Sequence, residues 1–154
     1  MADYYADSSA LVKRHIHEAG TAWFRNLCDT AAGNVIVTAR ISMVEVYSAL
    51  CRRQREARLS AVDYGHIATD FATTCATEYQ FVELTVPIVE RARHLLERHP
   101  LRAYDAVQLA SALTAQDALL SAGLLPLTFL TADDRLLAAA RAEDLMADNP
   151  NVHS

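Results

Sequence analysis

Short apolar runs alternate along the chain with longer stretches whose apolar residues recur every three to four positions. Tyr4 to Asp7 reads as a short strand, and Ser8 or Ser9 is placed to cap a helix that runs to about Glu18. A second helix is predicted over Thr21 to Ala31, broken by Gly33 and Asn34 before the β-branched run Val35, Ile36, Val37. A long helix follows over Ile41 to Leu59, with Met43, Val46, Tyr47 and Leu50 on its apolar face. Another starts after Ser60 and runs to about Tyr79, and Gln80 to Leu84 reads as a strand. Pro87 opens the next helix, which ends near His99 because Pro100 cannot continue it. Ala103 to Ala122 is helical, with Ala106, Leu109, Ala110 and Leu113 on one face and Gly123 as its stop. Leu127 to Leu130 is a strand, Asp133 to Ala142 a helix, and Leu145 to Asp148 a short edge strand.

Strands alternating with helices predict an α/β fold, a parallel sheet flanked by helices. At 154 residues the chain fits one domain. With no repeat, low-complexity segment or composition break, we expect a single domain over residues 1–150 and a short tail over 151–154. No apolar run approaches the ~18 residues that would suggest a membrane span. The opening MADYYADSSA lacks the features of a signal peptide. Cys28, Cys51 and Cys75 are odd in number, widely spaced and without a Cys-x-x-Cys pair, so reduced thiols in a cytoplasmic protein are expected rather than a structural zinc.

In open parallel sheets, sites form beyond the carboxyl ends of the strands. Asp7 closes the first strand, and Asp133 lies just past the strand Leu127–Leu130. Asp105 falls in the first turn of its helix, and Glu45 lies one turn into the helix after the second strand, among Met43, Val44, Val46 and Tyr47. Taken singly, each has an ordinary explanation. Aspartates at helix starts cap them or complement the dipole, and Thr131 with Asp134 is a possible capping pair. Taken together, several carboxylates at one sheet edge repel one another and raise their own pKa values unless a cation sits among them. All-oxygen ligands favour Mg²⁺ or Mn²⁺ over zinc, and such a metal suits phosphodiester chemistry. The net charge of −5 argues against nucleic acid on its own, but less so if acids cluster around a cation.

The stretches YADSSALVK, SMVEVYSAL, RAYDAVQLASAL and FLTADDRLLAAA, in this order and spacing, resemble a PIN domain, and more narrowly the VapC toxins of bacterial toxin–antitoxin pairs. The resemblance spans essentially the whole chain. It implies an α/β/α sandwich around a parallel sheet and a Mg²⁺- or Mn²⁺-dependent endoribonuclease. Such enzymes cut single-stranded or loop RNA with a metal-activated water, leaving a 5′-phosphate and a 3′-hydroxyl. By matching motifs, Asp7, Glu45, Asp105 and Asp133 are the acids, with Asp7 and Asp105 as direct metal ligands and Glu45 and Asp133 acting through water. Ser8 and Thr131 are their hydroxyl neighbours, and Asp134 competes with Asp133 for the fourth place. The resemblance also implies a homodimer and an antitoxin whose tail covers the site. A free-standing PIN nuclease of RNA processing and a PIN module that only binds are the alternatives.

Two arginine groups surround these motifs: Arg52, Arg53, Arg55 and Arg58, and then Arg91, Arg93, Arg98 and Arg102 leading into Asp105. The first reads as a solvated helix end, an RNA-backbone grip or an antitoxin contact, and one arginine of the second could hold a phosphate. The six histidines have no metal-ligand spacing, and Trp23 and Phe24 read as packing or dimer contacts. A phosphoacceptor receiver domain would need an adjacent acidic pair and a late lysine, yet Lys13 is the only lysine. A haloacid-dehalogenase-type phosphatase would need Asp-x-Asp where this chain has Asp7-Ser8-Ser9.

Overall fold

In the computed structural model, residues 1–153 are described. Five parallel strands form one sheet in the order β3-β2-β1-β4-β5, with β1 Asp3–Ala6, β2 Val35–Ala39, β3 Tyr79–Val82, β4 Thr128–Leu130 and β5 Met146–Asp148. Seven helices flank it: α1 Ser8–His15, α2 Thr21–Cys28, α3 Ile41–Arg55, α4 Ala61–Thr77, α5 Val86–Arg98, α6 Ala103–Ser121 and α7 Asp134–Ala142. The expected α/β/α sandwich is what the chain forms. Side chains alternate across a strand, and in β1 Tyr5 packs against Leu109, Leu113 and Phe129 on the face of α5, α6 and α7. Ala6 packs with Leu11, Phe24, Val46 and Phe71 on the face of α1 to α4. Both faces are buried, which is why the strands read as continuous apolar runs rather than alternating ones.

The order of strands places the site. The chain winds outwards from β1 through β2 to β3, then returns to the other side of β1 to lay down β4 and β5. Between β1 and β4 the direction of winding reverses, which opens a crevice at the carboxyl edge of the sheet. Ala6 is in register with Leu130, and the Asp7 amide donates to the Leu130 carbonyl at 3.1 Å. Asp7 and Thr131 therefore leave the sheet side by side.

Several boundaries differ from the periodicity. Helix α1 stops at His15, because Ile16 is extended (φ −119°, ψ 127°) and Glu18 turns back to pair with Lys13. Helix α2 stops at Cys28, and Asp29 caps a separate 3-10 turn over Thr30–Ala32. Helix α3 ends at Arg55, with Ala57 just beyond it in a left-handed conformation (φ 59°). Strand β3 begins at Tyr79, paired with Ile36, and ends at Val82, leaving Leu84 exposed. Residues 150–152 form a 3-10 turn with Pro150 buried, and His153 stacks on Trp23 at 4.0 Å between ring centroids. No described helix is long and apolar enough to cross a membrane.

Candidate active site

Four elements bring the predicted acids to the carboxyl edge of the sheet. Asp7 is the N-cap of α1 and accepts from the Ala10 amide at 3.0 Å. It is also 4% exposed, far more buried than a cap requires. Ser9 Oγ donates to Asp7 Oδ1 at 2.6 Å, and Thr131 Oγ1 donates to Asp7 Oδ2 at 2.6 Å. Burial pushes the Asp7 carboxyl up to about 6, against the pull of those donors and with added repulsion from Glu45. These hydroxyls clamp β1 to the loop after β4, since Ser9 Oγ accepts from the Ala132 amide and Thr131 Oγ1 from the Asp133 amide, at 2.9 and 3.1 Å.

Glu45 and Asp105 are each half-buried. Burial raises the Glu45 carboxyl, opposed by hydrogen bonds from Gln108 and Ser8 and reinforced by repulsion from Asp105. Burial raises Asp105 too, with repulsion from Asp133 acting in the same direction and Arg102 and Arg135 acting against it. Asp105 lies in the first turn of α6, whose N-cap Arg102 makes no side-chain cap bond. The anticipated cap and the anticipated acid are thus the same residue at Asp7 and Asp133.

Asp133 and Asp134 part ways in the structure. Asp133 is exposed, caps α7 by accepting from the Arg135 and Leu136 amides, and lies close enough to Asp105 to raise its pKa. Asp134 turns to the far side, where Asn149 Nδ2 donates to it at 3.1 Å. The suggested Thr131–Asp134 capping pair does not form, because Thr131 is committed to Asp7.

The buried residue that sequence reasoning missed is Gln108, which bridges the two helical layers. The Ala6 carbonyl can only accept, so Thr38 donates to it at 2.7 Å. Ser42, 2.8 Å from Thr38 Oγ1, must then donate to Thr38 and accept from Gln108 Nε2 at 2.9 Å. That orients the amide: Oε1 accepts from Tyr5 Oη at 2.6 Å, and Nε2 also donates to Glu45 Oε1 at 2.6 Å. Every atom of the amide is used, and Glu45 is fixed by a group that can only donate to it.

Repulsion runs from Asp7 through Glu45 and Asp105 to Asp133. Among the described residues, none of the four forms an ion pair with a lysine, arginine or histidine. A mutually repelling acid cluster, eased only at Asp105 by Arg102 and Arg135, fits a divalent cation. Among the described residues no three carboxylates, histidines or cysteines lie close enough together to hold a metal ion between them.

Glu45 lines a groove of about 1130 Å³ whose walls also include Ser8, Lys13, Glu18, Arg52, Arg53 and Arg102, and Asp105 lines a smaller cavity beside it that shares Glu45, Arg102 and Tyr104. Of the basic group preceding Asp105, Arg91 pairs with Asp117, Arg93 with Glu90 and Glu97, and Arg98 with Glu143. Arg102 has no ion-pair partner among the described residues and lies beside Asp105. Of the groove's cations, Lys13 and Arg53 both pair with Glu18 on the same wall, which leaves Arg52 and Arg102 without an ion-pair partner among the described residues.

Known proteins place this arrangement. A family model described as the PIN domain matches residues 4–142. Ribonuclease VapC45 of Mycobacterium tuberculosis is 34% identical over 116 residues, covering 73% of this chain and 76% of the relative. The crystal structure of PAE2754 from Pyrobaculum aerophilum superposes with a TM-score of 0.61 at 21% identity, covering 98% of this chain and 91% of that one. The VapBC2 structure from Rickettsia felis, bound to a DNA fragment from its promoter, superposes with a TM-score of 0.62 at 12% identity, covering 96% and 98%. By sequence and by fold, this chain belongs to the PIN domain family, among the VapC ribonucleases.

Proposed function

We propose that the chain is a divalent-metal-dependent endoribonuclease that acts as the toxin of a toxin–antitoxin pair in the cytoplasm. The observation that carries this reading is the mutually repelling cluster of Asp7, Glu45, Asp105 and Asp133 at the β1/β4 crevice, beside a groove lined by Glu45, Arg52 and Arg102. Mg²⁺ or Mn²⁺ is the ion its oxygen-only donor set favours. When bound, that ion supplies neutralisation of phosphodiester charge and a lowered pKa for a water ligand. Asp7 and Asp105 would hold it directly, and Glu45 and Asp133 would act through water. Asp133 takes the fourth place and Asp134 is structural, because Asn149 holds Asp134 away. Ser8 and Thr131 orient Glu45 and Asp7. Arg102 steadies the phosphate against the acids.

The VapC name of the 34%-identical relative supports ribonuclease chemistry, and the VapBC2 complex supports an antitoxin partner. Residues 1–150 act as one catalytic unit, paired with a second copy into a homodimer. Expression of the chain without its antitoxin tests the toxin role. Growth arrest that Asp105→Asn abolishes supports it, and arrest that persists in Asp105→Asn refutes it.

A further inference from the structure

The chain has eleven aromatic residues, one Trp, six Tyr and four Phe. All but one are buried or half-buried, and their packing partners are plain. Tyr5 stacks on Phe129, Tyr47 packs edge-on to Phe71, Trp23 stacks on His153, and the Arg40 guanidinium covers the Phe81 ring at 4.0 Å. Tyr104 is the exception. Its side chain takes no part in the hydrophobic core and the residue is 59% exposed, so the fold does not need a ring there.

Its position is specific. Tyr104 precedes Asp105 in the first turn of α6 and lines a cavity of about 350 Å³ together with Glu45, Arg102, Ala103 and Asp105. Val44, 65% exposed and adjacent to Glu45 on α3, lines the main groove with Tyr104 and Arg102. An exposed ring, an exposed aliphatic side chain and an unpaired guanidinium thus surround two of the acids. That is the chemistry of a nucleobase subsite: a π-face for stacking, an apolar edge and a cation for the neighbouring phosphate.

We propose that Tyr104, with Val44 and Arg102, binds one unstacked nucleobase of a single RNA strand next to the bond the acids address. The proposal rests on the ribonuclease reading above. A base inside a duplex is stacked on both faces and cannot offer one to Tyr104, so the subsite selects single-stranded and looped RNA through geometry rather than sequence.

The test uses the full chain carrying Asp105→Asn, which binds without cutting, and short single-stranded RNAs with 2-aminopurine at successive positions. Stacking on Tyr104 quenches the probe at one position in the parent and in Tyr104→Phe. Tyr104→Ala loses that quenching and binds roughly tenfold more weakly, the loss of one base–aromatic stack. In the Asp105-intact chain, Tyr104→Ala raises KM with a smaller effect on kcat, and its melting temperature is unchanged because the ring is exposed. Unchanged quenching and affinity in Tyr104→Ala overturn the subsite and leave the nuclease intact, as they would if the ring served a protein partner instead. An Asp105-intact chain that cuts no RNA, beside an Asp105→Asn chain that binds none, overturns the nuclease reading and the subsite with it.

Discussion

Gln108 Nε2 donates to Glu45 Oε1 at 2.6 Å, joining α6 to α3 over 63 residues of sequence. The bond matters because the amide cannot rotate to present its oxygen to the carboxylate. Tyr5 holds that oxygen, and the relay through Ser42 and Thr38 to the Ala6 carbonyl fixes the other end. The same relay ends on the residue before Asp7, so two of the four acids are held by one buried network.

Replacing Gln108 separates positioning from packing. Gln108→Leu leaves Tyr5, Ser42 and Glu45 short of a partner and lowers stability by about 1–3 kcal/mol. Loss of the outer-shell contact to Glu45 also weakens metal affinity by roughly 10–100-fold. Mn²⁺ titration followed by electron paramagnetic resonance reads the second effect without any RNA. A Gln108→Leu protein that melts early yet binds Mn²⁺ as tightly as the parent would assign Gln108 to packing alone.

The buried Asp7 carboxyl makes metal-free stability depend on pH. Its folded pKa of about 6 lies above the ordinary aspartate value of 3.8, so folding favours the protonated form. The stability this contributes is complete below about pH 4 and is lost as pH rises through 6. The size of the shift corresponds to about 3 kcal/mol. Melting temperature in EDTA should therefore fall between pH 4 and pH 7 by more in the parent than in Asp7→Asn, and Mn²⁺ at pH 7.5 should restore the parent alone. Parallel melting curves for the two proteins across that range would contradict the assignment.

Arg102 and Arg98 are both exposed arginines at the approach to α6, but only Arg98 is neutralised, by Glu143. Arg102→Ala should weaken RNA binding across sequences and reduce the salt slope of the binding constant by about one. Arg98→Ala should leave both unchanged, because its charge is already met by Glu143 at the surface. Equal effects of the two substitutions on the slope would remove Arg102 from the site.

Gly20 caps α2 with φ of +83° and faces the Pro150 carbonyl, which a Cβ at this position would strike. Gly20→Ala should lower stability by at least about 1–3 kcal/mol through backbone strain, with displacement of the 150–152 turn adding to it. Circular dichroism melting reads the loss. An unchanged melting temperature would mean that the C-terminal turn detaches freely.

The fold was legible because it rests on periodicity. Runs such as Val35–Val37 and Leu127–Leu130 are strands buried on both faces, and capping side chains mark the starts of α1, α4, α5 and α7. Asp7 and Asp133 were legible for the same reason, since strand ends and helix starts are local signals. Helix ends were less so: a tertiary contact to Lys13 decides where the chain turns at Glu18, and no periodicity reports it. Gln108 escaped because its partners are remote, Tyr5 at a separation of 103 residues, and Ser9, read as a helix cap, instead donates to Asp7, the residue that does cap α1, and accepts from Ala132, 123 residues away. The one local hint was spacing, because Gln108 lies three residues after Asp105 and so near its face of α6. Which arginine stays free could be settled only by seeing which acids the others meet.

RNA cleavage by purified, antitoxin-free protein tests the central claim most directly. Mixed single-stranded and transfer RNA is incubated with Mg²⁺ or Mn²⁺, with EDTA, and with Asp105→Asn beside the parent. The account predicts cleavage that requires the metal, leaves 5′-phosphate ends and falls by at least about 100-fold in Asp105→Asn. Cleavage that survives EDTA, or that Asp105→Asn retains, would contradict it.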